Sequence, residues 1–283
     1  MTSSTKTRKI RAEGLDQFYT LPQVALMCIQ QTQVFYNLDD FLIIEPSAGN
    51  GSFFLQIPST NKIGLDISPK HDTIVKHDFF TYTPPKQNKK ILIIGNPPFG
   101  RVSSLAVKFF NHAAQYADVI AFIVPRTFRR ISIQNRLYLS FHLLHDEDIP
   151  TDPCSFDPPM QAKCCFQIWE KKETLRKIVE LPVAHNDWEF LSMGPLDTKN
   201  QPTVPKGSDF ALRAYGGKCG EIKTNDLETL RPKSWHWIKS KIEPNLLIKR
   251  FQELDYSISI DTARQNSIGR KELVQIYSEK FPF

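Results

Sequence analysis

Residues 89–125 read "KKILIIGNPPFGRVSSLAVKFFNHAAQYADVIAFIVP", and this stretch decides the fold. Its two ends, "KKILIIGN" (89–96) and "DVIAFIVP" (118–125), are too uniformly apolar to have a wet face. Strands of a parallel sheet covered on both sides read this way. Between them "VSSLAVKFFNHAAQYA" (102–117) has the length and pattern of a crossover helix.

The same grammar continues outward. "FLIIEP" (41–46), "KIGLDIS" (62–68) and "TIVKHDFF" (73–80) read as further strands. "LPQVALMCIQQTQVFY" (21–36) reads as a helix that starts after Thr20, with Pro22 near its first position and Val24, Met27, Cys28 and Val34 at helical spacing. "FHLLHDEDI" (141–149) and "KCCFQIWEKK" (163–172) look like a closing pair of strands. Together these predict an α/β, doubly wound, Rossmann-like sheet. "EPSAGNGSF" (45–53) is expected to join the first of its strands to a helix. The connection between 62–68 and 73–80 is too short for a long helix.

Past about residue 175 the character changes. "PLDTKNQPTVPKGSD" (195–209) is rich in Pro, Gly and polar residues, and "FALRAYGGKCGEIKT" (210–224) suggests hairpins with glycine turns. Helical pattern returns in "NLLIKRFQEL" (245–254) and "RKELVQIYSE" (270–279). The chain is therefore divided into a flexible basic tail (1–13), a sheet domain (14–175) and a smaller α+β region (176–283).

Bulk properties set outer bounds. With 283 residues, 41% hydrophobic and 23% charged, the chain has the composition of an ordinary globular protein. A net charge of +6 fits a polyanionic partner without demanding one. The five cysteines, Cys28, Cys154, Cys164, Cys165 and Cys219, form no C-x-x-C pair. With a first segment, "MTSSTKTRKIR", that lacks an apolar core, they argue for a reducing, cytoplasmic setting and against structural zinc or any other metal. No apolar run approaches a membrane span.

Two loops carry chemistry. In open α/β sheets a ligand lies beyond the carboxyl ends of the strands, where glycines let the backbone come close. Gly49 and Gly51 supply that approach, but Phe54 stands where a dinucleotide fingerprint has Gly or Ala, which disfavours a nicotinamide enzyme. Glu45 repels a pyrophosphate yet welcomes an amino or sulfonium group, and Asp66 stands where a ribose hydroxyl would be held. The second loop is "NPPF" (96–99). The side-chain oxygen of Asn96 and the carbonyl of Pro97 can accept the two N–H bonds of an exocyclic amine, freeing its lone pair for attack on a methyl sulfonium. Pro97 and Pro98 fix the backbone and remove competing donors. Phe99 offers a flat face to an extruded base.

These residues resemble the motifs of S-adenosylmethionine-dependent N6-adenine methyltransferases, over roughly residues 14–170. "GLDQFYTLP" (14–22) is similar to the aromatic motif that precedes the first strand in that family, with Leu21 placed between Thr20 and Pro22. The resemblance implies a class I methyltransferase sheet and S-adenosylmethionine as cofactor. It implies a cofactor site of Gln17, Phe18, Tyr19, Thr20, Glu45, Pro46, Ala48, Gly49, Gly51, Asp66, Ile67, Asp78, Phe79 and Asn96. It implies catalysis by Asn96, Pro97, Pro98 and Phe99 on adenine N6, in DNA first and alternatively in RNA. Two local readings stay open: Phe18 and Tyr19 as a helix staple, and Asp78 as a simple cap.

Residues 176–283 take the place of the family's target-recognition region. Arg126, Arg129 and Arg130 in "PRTFRR" (125–130) either meet phosphates or form a solvated helix start. Trp235 and Trp237 in "LRPKSWHWIKSK" (230–241) either stack bases or are half-buried strand residues. A non-catalytic nucleic-acid-binding subunit is the competing class, against which the intact Asn96, Gly49, Gly51 and Asp66 speak.

Overall fold

A computed structural model describes residues 18–282, and the stretch that opened the reading folds in it as a strand, helix, strand unit. The flexible-tail expectation for 1–13, and Gln17, lie outside the described residues. The chain divides into two compact units between Ile178 and Val179.

In the first unit, β1 (Tyr19–Thr20) leads into α1 (Pro22–Phe35) and then β2 (Phe41–Glu45), β3 (Lys62–Asp66), β4 (Val75–Lys76) and β5 (Lys90–Gly95). There follow α2 (Ser104–Ala113), β6 (Val119–Pro125), the short α3 (Ile131–Gln134), β7 (Phe141–Asp148), β8 (Phe156–Asp157) and β9 (Cys164–Lys171). Seven strands form one sheet in the order β4-β3-β2-β5-β6-β9-β7. Pairings from β4 to β6 are parallel, whereas β9 runs antiparallel to both β6 and β7. The doubly wound α/β sheet expected from the sequence is present.

Alternation explains why the strands read as uniformly apolar. Ile120, Phe122 and Val124 of β6 enter one core cluster with Ala106, Phe109 and Phe110 of α2. Val119, Ala121 and Ile123 enter another with Val24, Cys28 and Ile29 of α1. A side-chain period of two sends neighbours to opposite faces, and each face is covered by a helix. Val34, one of the residues at helical spacing in α1, is 73% exposed.

Three local expectations are corrected. The segment after β2 is a series of turns, with Ile57 N donating to Phe53 O, and Pro58 follows; no helix forms. The run 73–80 gives only the two exposed residues of β4. Its pairing ends because Asp78 caps a 3-10 turn over Phe79–Thr81, accepting from Phe80 N at 2.9 Å. The crossover helix starts at Ser104, two residues late, because Gly100, Val102 and Ser103 all have positive φ.

In the second unit, β10 (Trp188–Phe190), β11 (Phe210–Arg213), β12 (Ile222–Lys223) and β13 (Trp235–Ser240) form an antiparallel sheet in the order β10-β13-β11-β12. The helices α4 (Pro244–Gln252) and α5 (Arg270–Lys280) supply Leu247, Phe251, Leu273 and Val274 to a core with Trp188, Phe210 and Ile238. This is an α+β arrangement, and β11 and β12 are the hairpin that the glycine turns suggested.

Candidate active site

The carboxyl ends of β2, β3 and β5 lie side by side, since β2 is hydrogen-bonded to both of the others and Glu45 stands opposite Gly64. The loop after β2 turns sharply. Gly49 has φ +51° and Gly51 φ +86°, a region that costs an L side chain about 1–3 kcal/mol. A Cβ on Gly49 would stand 2.7 Å from Cε1 of Tyr19, so the tyrosine ring lies against this glycine. Tyr19 is held there by the pairing of β1 with β8, in which it faces Asp157.

Asp66, at the end of β3, ties the loop down from the other side. Its Oδ2 accepts from Gly49 N at 2.8 Å and its Oδ1 from Ser68 N at 2.7 Å. The second of these bonds also ends the strand, as an Asx-type turn does. Burial, and secondarily the Asp66 charge, push the Tyr19 hydroxyl above its ordinary range. Ala48 is buried and donates its N–H to Leu65 O at 2.8 Å, Pro46 is buried, and Ile67 is 54% exposed beside Asp66.

Glu45 is only 3% exposed. Its Oε2 accepts from Phe54 N at 2.8 Å. Burial pushes the carboxyl up to about 8; the Phe54 N–H bond and the Lys62 charge pull the other way, and the Asp66 charge adds to the rise. Lys62 also braces the loop, donating to Phe54 O and Ile57 O at 2.7 Å each. Phe54, the residue that broke the dinucleotide pattern, packs on Gly64, where a Cβ would stand 2.9 Å from its ring. Gly95 has φ +149° and leaves room for Glu45, whose Cγ would be 3.1 Å from a Cβ there.

Asn96 follows directly. Its Nδ2 donates to Phe18 O at 3.3 Å, which fixes the amide orientation and turns Oδ1 the other way. That Oδ1 is buried and has no hydrogen-bond partner among the described residues. A buried acceptor left in this state costs about 1–3 kcal/mol. The Asn96 carbonyl accepts from Ser47 Oγ at 3.2 Å, so the glycine loop and the NPPF loop are joined through one hydroxyl. Thr20 Oγ1 is a second buried oxygen without a partner among the described residues. Pro97 is buried, and Phe99 is half-buried between the two core clusters of the sheet. The Phe99 carbonyl receives Leu105 N at 3.2 Å, anchoring the loop to the start of α2. Glu45, Gly49, Gly51, Asp66, Tyr19 and Asn96 are thus joined at one end of the sheet. Ser47 and Lys62 were not singled out from sequence; Ser47 stood inside the quoted "EPSAGNGSF", but its hydroxyl acts on a residue 49 positions away.

Other expected site residues are placed elsewhere. Phe79 is 1% exposed and stacks on Phe109 at 5.4 Å, so it is core and presents no wall to a ligand. Asp78 is exposed and acts as the cap of its own turn. Arg126 pairs with Asp148 at 2.6 Å, and Arg129 pairs with Asp148 at 2.9 Å and with Asp146 through Nε at 3.0 Å. Hydrogen bonding to Asp146 holds the Arg129 guanidinium above its usual range. These two arginines brace β7 and are not open phosphate ligands, because paired, half-buried charges have little left for a third partner. Arg130 is half-exposed at the start of α3. Trp237 is 1% exposed and donates Nε1 to Pro232 O at 3.1 Å, which rules out base stacking by its ring. Trp235 is 9% exposed, in the same small cluster with Ala211. The five cysteines are free thiols, with Cys28, Cys164 and Cys165 buried. No described helix is long and apolar enough to cross a membrane.

No protein-family model matches the chain, and no curated protein does. Several solved structures resemble it. A Pyrococcus horikoshii protein provisionally named an RNA methyltransferase is 16% identical, over 56% of this chain and 88% of that one, with a TM-score of 0.42. Magnesium protoporphyrin IX methyltransferase from Synechocystis PCC 6803, with S-adenosylmethionine bound, is 11% identical over 53% and 79%, with a TM-score of 0.41. A type I restriction-modification methyltransferase subunit from Streptococcus thermophilus is 15% identical over 67% and 50%, with a TM-score of 0.39. At such identities and scores these likenesses carry no statement about substrate, and the functional reading rests on the residues themselves.

Proposed function

We propose that this chain is an S-adenosylmethionine-dependent methyltransferase acting on the N6 amine of adenine in nucleic acid, DNA before RNA. The observation that carries the reading is the buried Oδ1 of Asn96, without a hydrogen-bond partner among the described residues, in a side chain oriented by Phe18 and joined through Ser47 to the glycine loop. An acceptor prepared in this way awaits an N–H donor.

The residues present fit the cofactor. Asp66 accepts one backbone N–H at each oxygen and keeps acceptor capacity for ribose hydroxyls. Gly49 and Gly51 let the backbone approach, Tyr19 closes over Gly49, and Ile67 offers an exposed apolar face. Glu45, buried and pushed up to about 8, would meet an amino or sulfonium group as a carboxylate only once that cation itself favours its ionisation. When bound, the cofactor supplies an electrophilic methyl group on positively charged sulfur.

The chain's own residues do the rest. Asn96 Oδ1 and the Pro97 carbonyl accept the two amine N–H bonds and favour a pyramidal, nucleophilic nitrogen. Pro97 and Pro98 bring no N–H to compete for those acceptors. Phe99, braced between two core clusters, presents a ring of fixed position to the base. Water receives the proton after transfer, so no general base is called for. Residues 176–283 supply target recognition, and the net charge of +6 supports a polyanionic substrate.

The test is labelled methyl transfer onto duplex DNA, single-stranded DNA and total RNA, followed by nucleoside analysis. N6-methyladenine is expected in DNA; its appearance only in RNA would transfer the same chemistry to that polymer. Asn96→Ala is expected to abolish transfer while cofactor affinity stays within a few-fold. No N6-methyladenine on any polymer while cofactor binds, or a collapse of cofactor affinity in Asn96→Ala, would overturn the assignment.

A further inference from the structure

The second unit contains a pocket of about 760 Å³ far along the sequence from the NPPF loop, walled by Arg213, Tyr215, Arg231, Trp235, Gln265 and Asn266. Its walls combine three chemistries. Flat surfaces come first: Tyr215 is 49% exposed with no ring partner among the described residues, and the Arg213 guanidinium lies 5.6 Å from the Trp235 ring centroid. Arg213 is already paired with Glu221 at 2.9 Å, so it serves as a planar wall rather than as free charge. Uncompensated charge comes second. Arg231 is exposed and has no acidic partner among the described residues, and no carboxylate lines the pocket. Amides come third, from Gln265 and Asn266 in the lining, side chains that carry a donor and an acceptor as base edges do.

The backbone holds this arrangement open. Tyr215 forms a bridge with Ser267, and Gly216 N donates to Asn266 O at 2.8 Å, so the tyrosine loop and the amide segment are fixed to each other. A methyl group placed on Gly217 would meet nothing within 4 Å, which puts the loop beside open space. An apolar ligand would leave Arg231 uncompensated, and a cation finds no carboxylate in the lining. A simple acid would engage Arg231 alone. A nucleotide uses all three sets at once: a base for the flat walls, base edges for the amides, a phosphate for Arg231.

We propose that this pocket binds one unpaired nucleotide of a polynucleotide strand, as a second nucleic-acid site distinct from the NPPF loop. The choice of ligand class rests on the nucleic-acid reading above, and the test separates the two. Fluorescein-labelled single-stranded oligonucleotides are titrated with the full-length chain and followed by anisotropy, with AMP as competitor. Tyr215→Ala is expected to weaken binding roughly tenfold, in the range for loss of one base–aromatic stack. Tyr215→Phe retains the stack and is expected to bind like the parent chain. Arg231→Ala is expected to weaken binding and to lower the slope of log affinity against log salt by about 0.7, the value for one phosphate on a single strand. Cofactor affinity and melting temperature serve as controls and are expected to be unchanged. Unchanged oligonucleotide affinity in both alanine variants overturns the pocket, even if Asn96→Ala still abolishes methyl transfer. So does full competition by AMP at concentrations near the oligonucleotide's own affinity, which would mark a free-nucleotide site. Loss of methyl transfer chemistry with intact Tyr215-dependent binding would instead sink the catalytic reading and leave the pocket standing.

Discussion

Replacing Glu45 by Gln isolates the cost of burying an acid at the end of β2. The carboxyl is 3% exposed and pushed up from 4.5 to about 8, chiefly by burial. Because its pKa in the folded chain lies above the unfolded value, the unfolded chain gives up the proton first as pH rises. Glu45 therefore contributes its full share to stability below pH 4.5 and loses it as pH climbs to about 8. At about 1.4 kcal/mol per pH unit, the loss across that window is about 5 kcal/mol. Glutamine cannot ionise, yet its Oε1 can still accept from Phe54 N. Glu45→Gln should match the parent near pH 5 and exceed it increasingly toward pH 8. With a denaturant dependence of about 2–3 kcal/mol per molar, the urea midpoints should separate by roughly 2 M at the alkaline end. Urea titrations followed by circular dichroism from pH 5 to 9 measure this directly. Midpoints that differ by the same amount at every pH would refute the reasoning, since they would mean that Glu45 ionises in the folded chain as it does in water.

Three further substitutions probe the site and its surroundings. Gly49→Ala forces an L side chain to φ +51° and places a methyl 2.7 Å from the Tyr19 ring, whereas Gly207→Ala at φ +84° meets nothing within 4 Å. Both should lose about 1–3 kcal/mol of stability in thermal melts. Only Gly49→Ala should also lose S-adenosylmethionine affinity by calorimetry, by tenfold or more, and equal affinities in the two would remove the glycine loop from the cofactor site. Trp237→Ala should cost about 3–5 kcal/mol in stability, as a buried aromatic does. A loss under about 1 kcal/mol with weakened oligonucleotide binding would restore its ring to the nucleic-acid surface.

Much of this was readable in one dimension because it depends on local pattern. The apolar runs at 41–45, 90–95 and 119–125 needed no partner to be recognised as strands, since burial on both faces leaves no room for polar alternation. Glycine, proline and strand-end acids are likewise legible, because backbone freedom and charge are properties of the residue itself. The failures concern residues whose meaning depends on what arrives from elsewhere. Arg126 and Arg129 read either as phosphate ligands or as a solvated helix start, and neither reading contained the Asp146 and Asp148 that β7 brings to them. Trp237 read either as a stacking platform or as a half-buried strand residue, and the second holds because its strand is central, between β10 and β11, with Pro232 taking its N–H.

Sequence by itself determined the parallel sheet, the two loops at its carboxyl edge and the chemical types gathered there. Tertiary structure alone decided which of those groups are still unpartnered. Asn96 keeps a buried oxygen unpaired among the described residues because Phe18, 78 residues away, takes only its amide nitrogen. Arg126 and Arg129 are neutralised by a strand that follows them, and Tyr215 stays 49% exposed with no ring partner among the described residues. Partnership is a property of pairs brought together by folding, and charge, hydrogen bonding and exposure all fall off within a few ångströms; only the folded chain fixes those distances.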